Sequence, residues 1–373
     1  MLTEVIKLEG TETDFAKVKE AAAMVDAGRL VAFPTETVYG IACRVKGDSL
    51  TKLSHVKGRT PDKHYTLHIG QKDDVKKYVP TIGLRAQKLI KNVWPGPVTI
   101  VFELDEKDAA RQRKSIGMEV FEALYQDNTI GIRCPDNPTA TMLLQATTNP
   151  VVAPSANITG KPPAINAEQV LAQLSGRIEL VLNGGPCKYK KSSTVVKIGK
   201  TGWEIVRQGA YSRSEIEAVS QIRFLFVCTG NTCRSPMAEG IFRKYLAEKL
   251  QCDVDRLDKI GYTVISAGVM NMSDRPASAE AVTACAAKGI DITAHRSRNL
   301  SREIVEESDL IFVMERMHQK SVAALGPEAA DKCMLLAENQ EIADPIGQPQ
   351  ESFNRCAELI EKAVRKRIGE LVI

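Results

Sequence analysis

The sequence predicts two α/β domains in one chain, and three observations carry that expectation. At 373 residues the chain is too long for one ordinary domain, so two is the natural number. Residues 223 to 239, RFLFVCTGNTCRSPMAE, run from a β-forming apolar stretch through a compact loop into a helix-like pattern. The first two hundred residues alternate helix-like segments with strand-like apolar runs that end in Pro, Gly, Ser or Thr, the patterning of α/β layers. With 43% hydrophobic and 26% charged residues there is material for two cores. A net charge of +4 is mild for this length and does not by itself demand a nucleic-acid partner. The start, MLTEVIKLEGTETDF, lacks a basic region followed by an apolar stretch, and no run approaches a membrane span, so a cytoplasmic protein with no membrane partner is expected. Nine cysteines without metal-ligand spacing agree with reduced thiols and with no metal site.

In chain order, the helix-like FAKVKEAAAMVDAG leads into RLVAFPTETVYGIAC, HVKGRTPDKHYTLHIG, WPGPVTIVF, NTIGIRCPDNP, VVAPSANITGKPPA, LNGGPCKYKKSSTVV and IVRQGAYS. Apolar runs that stop at turn formers, with lysine and arginine nearby, suit a cleft for a polyanion. Neither a Walker loop nor a Rossmann glycine pattern is present, so a nucleotide needs another grip. Lys57 and Arg59, spaced by one residue, would point the same way from an irregular loop or sit on one strand face, and amides and hydroxyls around Ser155 and Asn157 could complete a triphosphate site. The plainer alternative makes Pro34, Pro95 and Pro154 simple turn residues and KYKK a solvated lysine face.

These motifs, in this order over about residues 5 to 212, resemble the YrdC/TsaC family of threonylcarbamoyl-AMP synthases. The resemblance implies a mixed sheet with helices around a concave cavity. It implies a reaction joining L-threonine, bicarbonate and ATP, with Mg²⁺, to give threonylcarbamoyl-adenylate and pyrophosphate for the threonylcarbamoyl modification of tRNA. By that likeness Lys57 and Arg59 contact phosphates and Ser155 and Asn157 bind nucleotide. Thr35, Tyr39, His68 and Arg133 would line the threonine and adenylate pocket, and Thr194 and Arg207 would close it. The chemistry agrees: joining three reactants is mostly orientation, and the developing phosphoryl charge calls for cations. The chain departs from the family at Lys63-His64-Tyr65, where a proline is usual, and at Ser192 and Lys197, where acidic residues are common; these changes add positive charge near the expected site. No second nucleotide or metal motif is present, so transfer to tRNA calls for a separate transferase partner.

The seam is expected in RQGAYSRSEIEAVSQI, which divides the chain into residues 1–212, a linker at 213–222 and residues 223–373. Within it SEIEAVSQ reads as a short connecting helix.

After the seam, each residue of the loop has a physical role if its ligand is a phosphoryl group. Gly230 lets the backbone turn so that N–H groups face inward, where a helix N-terminus adds positive potential. Such a nest stabilises a thiolate and makes Cys228 a nucleophile. Arg234 offers a planar fork for two phosphoryl oxygens, Asn231 ties the loop, and Ser235 can donate to the sulfur. The plainer reading is a buried structural cysteine beside a surface arginine.

With that loop, residues 222 to 373 resemble a low-molecular-weight protein tyrosine phosphatase, which implies a doubly wound four-stranded parallel sheet. The likeness implies a phosphocysteine at Cys228, a clamp at Arg234 and a general acid at Asp344 of the Asp344-Pro345 pair, without a cofactor. SAG at Ser266 to Gly268 also fits, and in AHRSRNL His295 would bond Asn231. Thr232 resembles the bacterial protein arginine phosphatases, and Ile346-Gly347-Gln348 offers no aromatic wall for a phenyl ring, so phosphoarginine in a protein substrate is expected over phosphotyrosine. Cys233, near Cys228, has the placement of a resolving cysteine for reversible peroxide inactivation.

The leading expectation is a bifunctional enzyme. Its alternative is a phosphatase alone, whose first half is a nucleotide- or RNA-binding module, with the lysines from Lys188 to Lys200 facing tRNA. A third reading is that the two activities share only expression.

Overall fold

In the computed structural model, which describes residues 2–11, 13–58, 64–199 and 202–373, the chain divides into two units, Met1–Val219 and Ser220–Ile373. The first is built on an eleven-stranded mixed sheet. At one edge Glu4–Lys7 pairs in parallel with Leu180–Asn183, which pairs in parallel with Val31–Phe33. The sheet then turns antiparallel through Gly40–Arg44 and Val151–Val152, and continues by Leu67–His68, Thr129–Arg133 and Val98–Glu103 to Thr194–Gly199 and Gly202–Arg207. Alternation sorts its side chains. Val31, Phe33, Ala42, Leu180 and Leu182 bury one face against the helices Thr13–Asp26 and Pro138–Ala146, while Ala32, Ile41, Cys43 and Val181 join the core on the other. The helix Pro138–Ala146 starts where the sequence permits it: Asn137 caps the Ala140 N–H and Pro138 occupies the first turn.

The second unit carries four parallel strands. Ile222–Cys228 lies between Tyr262–Gly268 and Leu310–Val313, with Cys333–Leu335 outermost. Phe224 and Phe226 stack toward Phe242 of the helix Arg234–Leu250, at ring separations of 4.7 and 5.1 Å. Leu225 and Val227 point the other way, into a cluster with Val305 and Val322 from the helices Arg302–Glu307 and Arg316–Ala323. Both faces are covered, which is why the strand reads as a continuous apolar run. Register sets Cys228 level with Gly268, so the first strand delivers its cysteine at the carboxyl edge of the sheet, where α/β folds place ligands.

The expected linker is where the structure differs. Residues 213–220 form the helix Arg213–Ser220, and its Ile216 is fully buried in the core of the first unit with Val219 beside it. Asn92 Nδ2 also donates to Val219 O, at 3.1 Å. The segment is part of the first unit, and the division falls at 219/220. Two large apolar side chains in a short polar helix were too little pattern to reveal this. Replacing Ile216 by alanine should therefore lower the stability of the first unit by about 2–4 kcal/mol, read as a shift of one unfolding transition in calorimetry while that of the second unit stays in place.

Candidate active sites

In the first unit, side chains from widely separated segments line a cavity of about 200 Å³. Thr35, Tyr39, Lys57, His68, Arg133, Ser155 and Arg207 all reach it, which brings together seven of the ten residues singled out from the sequence. Arg133, 5% exposed at the end of its strand, is the electrostatic centre. Its Nη2 donates to Glu36 Oε1 at 2.9 Å, Thr37 Oγ1 at 2.7 Å and Thr35 Oγ1 at 3.4 Å, while its Nε is buried without a partner. Lys57 Nζ donates to the carbonyls of Ser155, at 2.5 Å, and Asn157, at 2.8 Å, and so ties the lysine motif to the serine-asparagine loop. His68 Nδ1 donates to Thr66 O at 3.1 Å, which leaves Nε2 as an acceptor. Burial and the nearby Arg133 push the His68 pKa down to about 3. Tyr39 OH donates to Gly185 O at 2.8 Å, and burial pushes its pKa upward. Burial, then Arg133, pulls the Arg207 pKa down.

Two residues sit differently. Thr194 is fully buried behind the cavity, with its hydroxyl given to Tyr211 O at 2.7 Å. Asn157 shapes its own loop, its amide donating to Ile158 O and Lys161 O at 2.9 and 2.6 Å, while its Oδ1 is buried without a partner. Arg59 and Lys63 lie outside the described residues. Of the other departures, His64, Tyr65 and Ser192 line the cavity. Lys197 does not: it stands on the strand Thr194–Gly199 opposite Glu204, so it adds no charge to the lining. Two cavity residues escaped the sequence reading. Ser193 Oγ lies 3.0 Å from Thr99 Oγ1, and Ser193 accepts Arg207 Nη2 at its carbonyl, 2.9 Å, and hydroxyl, 3.1 Å. Serine and threonine are too common to have been picked out.

In the second unit, the loop between the strand Ile222–Cys228 and the helix Arg234–Leu250 is locked by one residue. Asn231 is fully buried at φ 55°, a left-handed conformation that asparagine tolerates better than most side chains. Its Nδ2 donates to Ser235 Oγ at 2.9 Å and Ser266 Oγ at 2.8 Å. Its Oδ1 accepts the Arg298 N–H at 2.8 Å, and its carbonyl accepts His295 Nε2 at 2.8 Å. Because Ser235 Oγ already accepts from Asn231, its own proton is free for Cys228 Sγ, 3.0 Å away, and the Asn231 N–H also reaches that sulfur, at 3.3 Å. The helix begins at Cys233 without a side-chain cap, so its first N–H groups stay available at the loop.

Arg234, 1% exposed, lies beneath this loop. Its Nη1 donates to Glu315 Oε2 and to Ile342 O, both at 2.8 Å, and its Nη2 to Thr229 Oγ1 at 3.0 Å and to Asp344 Oδ2; its Nε is buried without a partner. Burial opposes the charge, but the Glu315 bond and the negative groups around it raise the pKa overall. Cys233 Sγ faces Ser278 Oγ at 3.5 Å and Thr232 Oγ1 at 3.7 Å, and burial pushes its pKa up. Thr229, Glu315 and His318 were not singled out from the sequence, since nothing local marks them.

The comparisons with known proteins agree with the geometry. Residues 23–209 match the sequence model of the Sua5/YciO/YrdC family, described as telomere recombination, and residues 223–372 match that of the low molecular weight phosphotyrosine protein phosphatases. The chain belongs to both families, one in each unit, and both are families of enzymes. It is similar to the threonylcarbamoyl-AMP synthase of Bacillus subtilis, 34% identical over 208 residues, which are 56% of this chain and 57% of that protein. The chain thus spans little more than half the length of that relative. It is also similar to the low molecular weight protein-tyrosine-phosphatase Etp of Escherichia coli K12, 36% identical over 151 residues, 39% of this chain and 93% of that one. Among solved structures, Pyrococcus abyssi Sua5 complexed with L-threonine superposes with a TM-score of 0.51 at 21% identity, covering 72% of this chain and 92% of that one, a likeness of fold. Among the described residues no helix is long and apolar enough to cross a membrane.

Two glycines give predictions. A Cβ on Gly268 would stand 2.8 Å from Thr229 O and 2.9 Å from Gly230 C, inside the anion loop, and one on Gly209 would stand 2.3 Å from Ser193 C. Gly268→Ala should abolish phosphatase turnover and leave ligand binding by the first unit intact; Gly209→Ala should do the reverse, as titrations and turnover on each variant would read. The depressed His68 pKa also has a sign. The unfolded chain binds a proton below about 6.5 that the folded chain refuses until about 3, so this residue stabilises the first unit above 6.5 and progressively less as pH falls. His68→Asn should flatten the pH dependence of that unit's melting temperature between pH 6.5 and 4.

Proposed function

We propose that the chain is a bifunctional enzyme. The first unit would join L-threonine, bicarbonate and ATP into threonylcarbamoyl-AMP and pyrophosphate, supplying tRNA modification through a separate transferase. The second would remove phosphoryl groups from arginine side chains of proteins through a phosphocysteine at Cys228. The observation that carries the proposal is that each unit gathers charged and acceptor groups from distant segments at one place. Arg133, Lys57 and Arg207 converge with an acceptor at His68 in the first, and Cys228 and Asp344 flank Arg234 in the second.

In the synthase half, the threonine amine adds to the carbon of bicarbonate with loss of water. The carbamate oxygen then attacks the α-phosphorus of ATP and pyrophosphate leaves. Mg²⁺ enters with the triphosphate, and the basic lining suits its charge. Arg133 lines the cavity, and its guanidinium is the group that would donate to a carboxylate or phosphoryl oxygen. Arg59, outside the described residues, is assigned to phosphate by the family likeness alone. The Pyrococcus abyssi relative, solved with L-threonine, supports the choice of amino acid.

In the phosphatase half, Cys228 attacks phosphorus, Asp344 protonates the leaving nitrogen, and a water activated by Asp344 then releases phosphate. Support for a guanidinium leaving group comes from Thr232, half-buried in the loop, and from the residues after Asp344-Pro345, where Ile346 is exposed and no aromatic residue stands at Gly347 or Gln348.

Pyrophosphate release by the purified chain should require threonine and bicarbonate together. Binding of ATP without that release would reduce the first unit to a nucleotide-binding module. kcat/KM on a phosphoarginine peptide should exceed that on the matching phosphotyrosine peptide by at least about tenfold, a differential of roughly 1.4 kcal/mol in transition-state binding; equal or reversed values would remove the arginine assignment.

A further inference from the structure

His318 is fully buried on the helix Arg316–Ala323, and its two ring nitrogens are committed. The Glu315 backbone N–H meets Nδ1 at 3.1 Å. A backbone N–H can only donate, so Nδ1 holds a lone pair and the ring proton sits on Nε2. That Nε2 is 3.0 Å from Thr229 Oγ1, closer than the 3.6 Å to Glu315 Oε2. Burial and the positive charge of Arg234 hold the His318 pKa below its ordinary value, which keeps the ring in this neutral form.

Thr229 Oγ1 also accepts Arg234 Nη2, at 3.0 Å. A hydroxyl has two lone pairs and one proton. With both lone pairs filled by N–H donors, the proton of Thr229 has to leave in the remaining direction. The residue follows the nucleophile directly, is only partly buried, and shares one guanidinium nitrogen with Asp344. A phosphoryl group held between Cys228 and Arg234 would lie against it.

We infer that Thr229 donates its hydroxyl proton to a phosphoryl oxygen in the second site, and that His318 is the positioning residue that turns it to do so. This rests on the phosphatase reading above. No covalent step is added: the hydroxyl supplies one charge-assisted hydrogen bond beyond those of the loop amides and Arg234. His318 never meets the substrate.

The test compares Thr229→Val, Thr229→Ser, His318→Leu and His318→Gln in the full chain, with p-nitrophenyl phosphate as substrate, inorganic phosphate as competitive inhibitor and Cys228→Ser as control. Thr229→Val should raise the inhibition constant for phosphate about tenfold and lower kcat/KM about as much, the worth of one hydrogen bond to a charged oxygen. Thr229→Ser should stay close to the parent. His318→Leu should copy Thr229→Val, the double variant should be little worse than either, and His318→Gln, with an amide donor near the Nε2 position, should recover most of the loss. An unchanged phosphate constant in Thr229→Val overturns the inference, including the case in which kcat alone falls, because the hydroxyl would then serve Asp344. Full additivity of the two losses overturns the part given to His318. Absence of any Cys228-dependent turnover in the parent removes the phosphatase reading itself, and the inference with it.

Discussion

A guanidinium taken out of water must be matched, and both units are arranged around one that is. Arg133 and Arg234 are each at least 95% buried. Desolvating an ion of this kind costs several kcal/mol even after relaxation, so the fold has to return carboxylates and oxygen acceptors in good geometry. Arg133 receives Glu36 with the hydroxyls of Thr35 and Thr37; Arg234 receives Glu315, Asp344, Thr229 and the carbonyl of Ile342. Those partners come from segments far apart in sequence. In the second unit they require the helix Arg316–Ala323 and residues 342–344 to close over the helix Arg234–Leu250, and the strand order brings them there.

The rest of the phosphate loop follows from the need to keep N–H groups pointing inward without a ligand to hold them. Asn231 meets it by spending every polar atom on the loop: its amide on two hydroxyls, its Oδ1 on Arg298, its carbonyl on His295. Ser266 passes the connection on to Glu239 Oε2, at 2.6 Å. Gly268 then lets the second strand approach the loop backbone more closely than any Cβ would permit.

What could be read from the sequence is what lies close together in it. Cys228, Asn231, Arg234 and Ser235 fall within eight residues between a strand and a helix, and that local order alone points to an anion site. Asp344, His295 and the pocket residues from Thr35 to Arg207 are dispersed, and only likeness to known families brought them out. Ser193, Thr99, Thr229 and His318 were invisible for a physical reason: each acts through a hydrogen bond across 14 to 94 residues of chain, made by a side chain that is common elsewhere. The two-unit α/β architecture was legible because periodicity is also local, whereas the place of the helix Arg213–Ser220 was not, since its docking depends on little more than Ile216 and Val219 and a hydrogen bond from distant Asn92.

The two arginines meet a ligand's charge by different means. Glu36 is 2% exposed, with one carboxylate oxygen on Arg133 and the other buried without a partner, so it has no solvent to move into. Arg133 must keep that pair, so an incoming oxygen has to be met by guanidinium nitrogens other than the Nη2 that Glu36 holds. Asp344 is 31% exposed and holds Arg234 from the open side of the loop, while Glu315 holds the other nitrogen. A phosphoryl group can therefore replace Asp344 on Nη2 and take Nε as well, leaving Glu315 in place. Throughout the exchange the buried cation keeps an anion at each end, so binding is never charged the cost of an unmatched guanidinium. In the proposed reaction, the carboxyl that such an exchange would release is the one the leaving group needs.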